Sequence, residues 1–346
     1  MREENRKNRP FGIVDLAKML NVSVATVSRA FRNTHDISPE TRSMILDLAK
    51  TMEFQPNKSA AALASGKTKN IGIVLPFITN YYYAKVISGI QDYAYSKGYN
   101  IILFITNDDP KKEQELVSNI ATNALDGLLV SIASSSHDFT YFDKLIKKGM
   151  PIVFFDKVPH EKNVSRVMQN DIRGAYDATA FLLSNGFRNI VHLTGPKNLK
   201  MTQQRLEGYK MALSEAEIPY NESMVAYSGF SREDGEQDVE RLINNQVSFN
   251  AIFAANDRKA IGAILALKAR GIKVGDEVAV IGFTNDPMGE IIEPTLTSIE
   301  EPAYEIGIKS CELLIKHIRI QHFDKRDIIL PNKLIVRQSV ALHREA

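Results

Sequence analysis

A chain of 346 residues with 44% hydrophobic and 24% charged residues has the balance of an ordinary globular protein with room for two or three folding units. Its one cysteine, Cys311, excludes an internal disulfide framework and fits a reducing interior, so a cytoplasmic location is expected. The first seven residues are charged and lack an apolar core, and no apolar run approaches the roughly 18 residues of a membrane span, so no membrane partner is expected.

The net charge of +2 is unevenly spread: residues 1–70 hold 12 Lys and Arg against 7 Asp and Glu, and the remainder 31 against 34. A basic head on a mildly acidic body suits a module that meets phosphate, although a solvated surface with chance asymmetry gives the same numbers. In the head, Ile13, Leu16, Ala17 and Leu20 fall at i, i+3, i+4 and i+7, which predicts a short helix with one apolar face. Ser23 then N-caps a second helix running to about Phe31, with Val27 turned back onto the first. Two short helices with a tight polar link read as a helix-turn-helix, which would turn Val24, Ala25 and Arg29 toward the DNA major groove; they read equally as a plain helical hairpin. Ser38-Pro39 starts a third helix whose Ile45, Leu48, Ala49 and Met52 close a three-helix headpiece.

Phe54-Gln55-Pro56 ends that helix. Residues 57–66 follow, with Asn57 as a cap, an alanine run carrying Leu63, and Gly66 as a stop. A helix of about eight residues is too short to hold by itself, so it should form only on a partner. In a dimer, two such segments could pack through alanine and offer Leu63 to the minor groove. A simple Ala/Ser linker explains the stretch as well.

From Asn70 onward, apolar runs alternate with helical patterns. Strands are expected at 71–75, 101–105, 127–130 and 152–155, with helices at 83–97, 111–123 and 139–148 between them. After the polar stretch 157–165 a second series has strands at 190–193, 224–226, 251–254 and 278–283, with helices at 172–184, 203–216, 233–245 and 257–270. A last helix, 304–320, precedes short strands near 328–330 and 334–336. This alternation predicts two doubly wound α/β halves with a cleft between them and ligand-binding loops at the carboxyl ends of the strands. Those loops hold Tyr81, Tyr82, Tyr83, Asp156, Phe230, Asn256 and Thr284, with Arg205 at a helix turn. Aromatic faces with a guanidinium and amide groups suit a polyol or carboxylate, although each residue singly has an ordinary capping or packing role.

Catalysis finds little support. G-x-G-x-x-G after a strand, the P-loop, G-x-S-x-G and H-E-x-x-H are all absent. His317 and His322 lack metal-ligand spacing, and Cys311 falls in a helical pattern with no sign of activation. No metal, no cofactor and no enzyme activity are expected.

Over roughly residues 11–342 the chain resembles the lactose-repressor/galactose-repressor family of bacterial transcription regulators. The resemblance rests on Val22-Ser23-Val24-Ala25-Thr26-Val27-Ser28-Arg29, Pro56-Asn57 through Leu63, Arg205-Leu206-Glu207-Gly208-Tyr209, Ala255-Asn256-Asp257 and Val280-Ile281-Gly282-Phe283. It implies an all-α helix-turn-helix headpiece (1–56), a hinge helix and linker (57–69), and a core like a periplasmic sugar-binding protein. The core would divide into an amino-terminal subdomain (70–168 with 300–330) and a carboxy-terminal one (169–299 with 331–346).

By position, the resemblance implies DNA contacts from Ser23, Val24, Ala25, Thr26, Ser28, Arg29, Asn57, Ala60 and Leu63. It implies effector contacts from Tyr82, Tyr83, Asp156, Arg205, Phe230, Asn256, Phe283 and Thr284. The expected protein is a homodimeric regulator, a repressor of carbohydrate-related genes, bound to a palindromic operator and controlled by a sugar or sugar derivative. Two departures stand out. Ala61 replaces the Arg or Gln common in the hinge, and Thr284 replaces the aspartate that accepts two sugar hydroxyls in sugar-responsive members. The second departure motivates an alternative, a global regulator with a phosphorylated carrier protein as coeffector. A sugar-binding transport protein and an enzyme rank below it.

Overall fold

The computed structural model describes residues 11–32, 36–54, 67–120, 124–159, 164–320 and 325–341. The chain forms two compact units, 1–68 and 69–346. The expected hinge helix, with Asn57, Ala60, Ala61 and Leu63, lies outside the described residues.

Among its described residues the first unit has three helices, α1 (Ile13–Met19), α2 (Val24–Arg32) and α3 (Pro39–Thr51). The helical period gathers Leu16, Ala17, Val27, Ala30, Ile45 and Ala49 into one small core. Asn21, at φ 51°, makes the tight link between α1 and α2. Ser23 Oγ accepts from the Thr26 amide at 3.0 Å and Ser38 Oγ from the Thr41 amide at 3.2 Å, so each cap satisfies a backbone donor that the helix cannot. Met52, expected on the buried face, is exposed because α3 ends at Thr51 and Met52 is its C-cap.

In the second unit, twelve strands among the described residues form two six-stranded sheets. The first contains β1 (Asn70–Leu75), β2 (Asn100–Ile105), β3 (Gly127–Val130), β4 (Ile152–Phe155), β5 (Ser165–Gln169) and β11 (Asp327–Leu330), in the order β11-β5-β4-β3-β1-β2. Every pairing in it is parallel. The second contains β6 (Ile190–Thr194), β7 (Val225–Tyr227), β8 (Ala251–Ala254), β9 (Ala279–Thr284), β10 (Thr297–Glu300) and β12 (Lys333–Ile335), in the order β12-β10-β9-β8-β6-β7. Only β12 runs antiparallel there.

The helices are α4 (Tyr81–Ser96), α5 (Pro110–Ser118), α6 (Thr140–Lys147), α7 (Asp171–Ser184), α8 (Lys200–Glu215), α9 (Arg232–Asn244), α10 (Asp257–Ala269), α11 (Met288–Ile291) and α12 (Ala303–Ile320). Continuous apolar runs such as Ile71-Gly72-Ile73-Val74-Leu75 are buried because helices cover both faces of a parallel sheet. Gly208 shows why its motif needs a glycine: a Cβ there would lie 2.1 Å from the Ile172 carbonyl oxygen, so only glycine lets α8 meet α7 this closely.

The chain passes between the sheets three times, at β5 to α7, β10 to α12 and β11 to β12. Helix α7 packs on the second sheet and α12 on the first. Cys311 is buried within α12.

Several boundaries differ from expectation. Strands β5 and β10 were not expected, since Ser-Arg-Val-Met-Gln and Thr-Ser-Ile-Glu have neither a clean alternation nor an apolar run. Both have buried positions because their hydroxyls find internal partners: Ser165 Oγ lies 2.9 Å from His317 Nε2, and Ser298 Oγ donates to Asp257 at 2.6 Å. Met224 ends a single 3-10 turn, so the expected strand at 224–226 shifts to Val225–Tyr227. The helix expected over 111–123 stops at Ser118. The one-turn helix α11 had no periodic signal to reveal it.

Candidate ligand cleft and DNA-reading helix

In the headpiece, Val24, Ala25 and Arg29 are exposed on one side of α2, while Val27 and Ala30 are buried on the other. Thr26 and Ser28 lie between, half-buried, and Ser23 is exposed at the helix start. This leaves two small apolar side chains and one guanidinium to meet a partner. Such side chains can touch a thymine methyl and donate in pairs to a guanine edge.

In the second unit both sheets have a strand order that reverses beside the first strand of the series, β1 in one and β6 in the other. Crevices form at such reversals, outside the carboxyl ends of the strands. Here a cavity of about 360 Å³ is lined from both subdomains.

On the first side, Asn80 caps α4 by accepting from the Tyr82 amide at 2.9 Å. This turns the next two rings inward, where Tyr83 donates to Asp156 Oδ2 at 2.6 Å and Tyr82 reaches Gln169 Oε1 at 3.4 Å. Burial and the charge of Asp156 push both phenols well above their ordinary range, so they act as neutral donors. Asp156 follows β4 in the left-handed region, at φ 57°, and also receives Ser131 Oγ at 3.2 Å. Lys157 beside it donates to Ser134 at 2.6 Å and Asp108 at 3.3 Å.

On the second side, Arg205 is 2% exposed. Its Nε donates to Asp171 at 2.8 Å, its Nη2 to Glu301 at 2.7 Å and its Nη1 to the Ala255 carbonyl. The guanidinium lies over the Phe283 ring at 3.7 Å. Burial raises the carboxyls of Asp171 and Glu301, the latter to about 8, although Arg205 pulls both down.

Asn256 accepts from the Lys259 amide at 2.8 Å and donates to the Phe230 carbonyl at 3.1 Å, so it fixes the loop that carries Phe230. The Phe230 ring rests on Gly195, where a Cβ would lie 2.2 Å from its Cζ. Beneath that loop, the fully buried Lys259 Nζ donates to the Thr194 carbonyl at 2.7 Å, Ser228 at 2.6 Å and Asp238 at 2.8 Å. Thr284 reaches the cavity at φ 128°, a conformation that a β-branched residue adopts only under constraint.

Of the eight residues expected to meet a ligand, Tyr82, Tyr83, Asp156, Arg205, Phe230, Asn256 and Thr284 line this cavity. Phe283 does not; it is fully buried below Arg205, which it supports from behind. The sequence reading missed Glu301, Asn80, Phe77, Lys157, Asp108 and Arg258, which also line it. Glu301 follows a strand that had no sequence signal; Asn80 and Phe77 stood within the noted aromatic loop and could have been found there. Among the described residues no group of His, Cys, Asp and Glu could hold a metal, and no helix is long and apolar enough to cross a membrane.

Comparison with known proteins agrees with this architecture. Residues 12–57 match the family described as bacterial regulatory proteins, lacI family, and residues 68–338 match periplasmic binding proteins and sugar binding domain of LacI family. The chain is 33% identical to the HTH-type transcriptional regulator DegA of Bacillus subtilis over 330 residues, covering 95% of this chain and 98% of DegA. It is 30% identical to catabolite control protein A of Priestia megaterium, covering 94% and 98% of the two chains. The solved complex of the transcriptional regulator CelR with cellobiose superposes with a TM-score of 0.72 at 27% identity, covering 96% of this chain and 100% of CelR. With both the helix-turn-helix and the sugar-binding core matched in order, the chain belongs to the LacI family of DNA-binding transcriptional regulators.

Proposed function

We propose that the protein is a homodimeric repressor that binds a palindromic operator and is released from it, or tightened on it, by a small-molecule effector in the cleft. Carbohydrate-related genes are its targets. The observation that carries this reading is that one cavity is lined by seven of the expected effector residues, drawn from both subdomains. The similarity to a regulator solved with cellobiose supports a sugar-sized ligand.

On this reading the chain divides into a headpiece (1–56), a hinge (57–69) and two core subdomains, 70–168 with 300–330 and 169–299 with 331–346. Ser23, Val24, Ala25, Thr26, Ser28 and Arg29 read the operator with Asn57, Ala60 and Leu63 of the hinge. A ligand that binds the closed core more tightly than the open one shifts the balance between them, by no more than its difference in affinity. The protein acts by binding, not by turnover.

The test is selection of bound fragments from genomic DNA by the purified full-length protein, followed by footprinting with and without candidate sugars. A two-fold symmetric site whose occupancy changes with a sugar is the expected result. Binding without sequence preference, or occupancy indifferent to every small molecule but altered by a phosphorylated carrier protein, would overturn the effector reading.

A further inference from the structure

The cations at the inner end of the cleft are already engaged by the protein's own acceptors. Arg205 is held on three sides by Asp171, Glu301 and the Ala255 carbonyl, with Phe283 against its face. Lys157 is held by Asp108 and Ser134. The acceptors are not equally engaged. Glu301 is 8% exposed and lines the cavity, and only its Oε1 has a hydrogen-bond partner among the described residues. Asp156, half-buried, receives both Tyr83 and Ser131 on Oδ2, and its Oδ1 has no hydrogen-bond partner among the described residues. A carboxylate oxygen without a donor, on a side chain that lines a cavity of about 360 Å³, is free to take one from a ligand.

We propose that the inner end of the cleft takes a ligand with a cationic nitrogen on a sugar-sized body, its ammonium lying between Asp156 and Glu301. The inference rests on the effector reading above and narrows its ligand class. Four carboxylates, Asp108, Asp156, Asp171 and Glu301, stand at the inner end of the cleft with two cations, Arg205 and Lys157, so the site has an excess of negative charge when all are ionised. Burial first, then Asp171 and Asp156, push the Glu301 carboxyl up to about 8 against the pull of Arg205, so a further positive charge beside it would be favourable. Tyr82, Tyr83, Phe77 and Phe230 line the same cavity and offer ring faces and edges to the rest of the ligand. At this inner end a phosphate or carboxylate would face Asp156 and Glu301 and find Arg205 occupied, and Arg258, exposed on the same lining, is the cation an anionic ligand would have to use instead.

The experiment is calorimetric titration of the full-length protein at neutral pH and fixed salt with D-glucosamine, D-glucose and D-glucose 6-phosphate, and with the corresponding galactose set. Each amine is expected to bind about tenfold or more tighter than its hydroxyl parent, with the phosphate weakest. That advantage is expected to shrink in Glu301→Gln and in Asp156→Asn, both checked for folding by circular dichroism. Equal or tighter binding of the neutral or phosphorylated sugar overturns the cationic ligand and leaves the effector reading standing. An amine preference unchanged in both folded variants overturns the placement. No binding by any of the six, with operator binding intact, overturns the inference and the sugar-sized effector together.

Discussion

Arg205 Nη2 donates to Glu301 Oε1 at 2.7 Å, and this contact joins α8 in the carboxy-terminal subdomain to the segment by which the chain crosses back to the amino-terminal one. The same guanidinium holds Asp171, which follows β5 at another crossing, at 2.8 Å. One side chain thus clamps two of the three connections about which the subdomains would turn, at the floor of the cavity. A ligand that drew Glu301 toward itself would act directly on these connections between the core subdomains.

Removing Arg205 strands two buried carboxylates. Arg205→Ala is expected to destabilise the core by about 3–5 kcal/mol, read as a lower midpoint in urea unfolding. A midpoint equal to the parent's would show that the two carboxyls are satisfied without it.

Glu301 makes stability depend on pH in a fixed direction. Its folded pKa is raised to about 8 from an ordinary 4.5. The stability it contributes is therefore full below about 4.5 and is lost as pH rises toward 8. Asp257, raised to about 7 by burial, acts in the same direction but is present in both proteins of the comparison. Glu301→Gln should become more stable relative to the parent as pH increases across that window. Parallel stability curves for the two proteins would contradict the raised pKa.

Gly195 keeps the Phe230 ring over the cleft. Gly195→Ala places a methyl where the ring tip stands, 2.2 Å from Cζ and 2.8 Å from the buried Thr202 hydroxyl; the half-buried ring can swing aside and the hydroxyl needs to give by only a few tenths of an ångström. Stability should fall little, while affinity for the tightest-binding sugar of the six falls severalfold. Unchanged affinity in titration would mean that Phe230 does not contact the ligand.

Lys259 and Asp238 are both fully buried. Lys259→Met leaves Asp238 with the Ser228 hydroxyl and, at the surface, Arg241, and should cost about 3–5 kcal/mol, whereas the double variant Lys259→Met/Asp238→Leu should recover much of that loss. Additive losses in thermal unfolding would argue against a coupled pair.

Arg29 is the one charged, exposed side chain among the predicted DNA-reading residues of α2. Arg29→Ala should weaken operator binding by about 1–3 kcal/mol and weaken binding to unrelated DNA less. Equal losses on both DNAs, measured by fluorescence anisotropy at one salt concentration, would assign it to phosphate instead of base contact.

Patterns local in the chain determined much of this protein in advance. The period of Leu16, Ala17, Val27, Ile45 and Ala49 and the caps Ser23 and Ser38 define the headpiece, because helix periodicity and capping are decided within a few residues. The strand–helix alternation defines two wound sheets, since continuous apolar runs are stable only between covering helices. Tertiary structure alone decided the floor of the cleft. Glu301 follows a strand too short and polar to be read, and Phe283, expected to touch the ligand, instead lies under Arg205. Asp171, Arg205, Ala255, Phe283 and Glu301 meet from five separate parts of the chain, and neither their contact nor the raised pKa of Glu301 has a sequence period to record it. Those properties come from burial and from which charges fold next to one another.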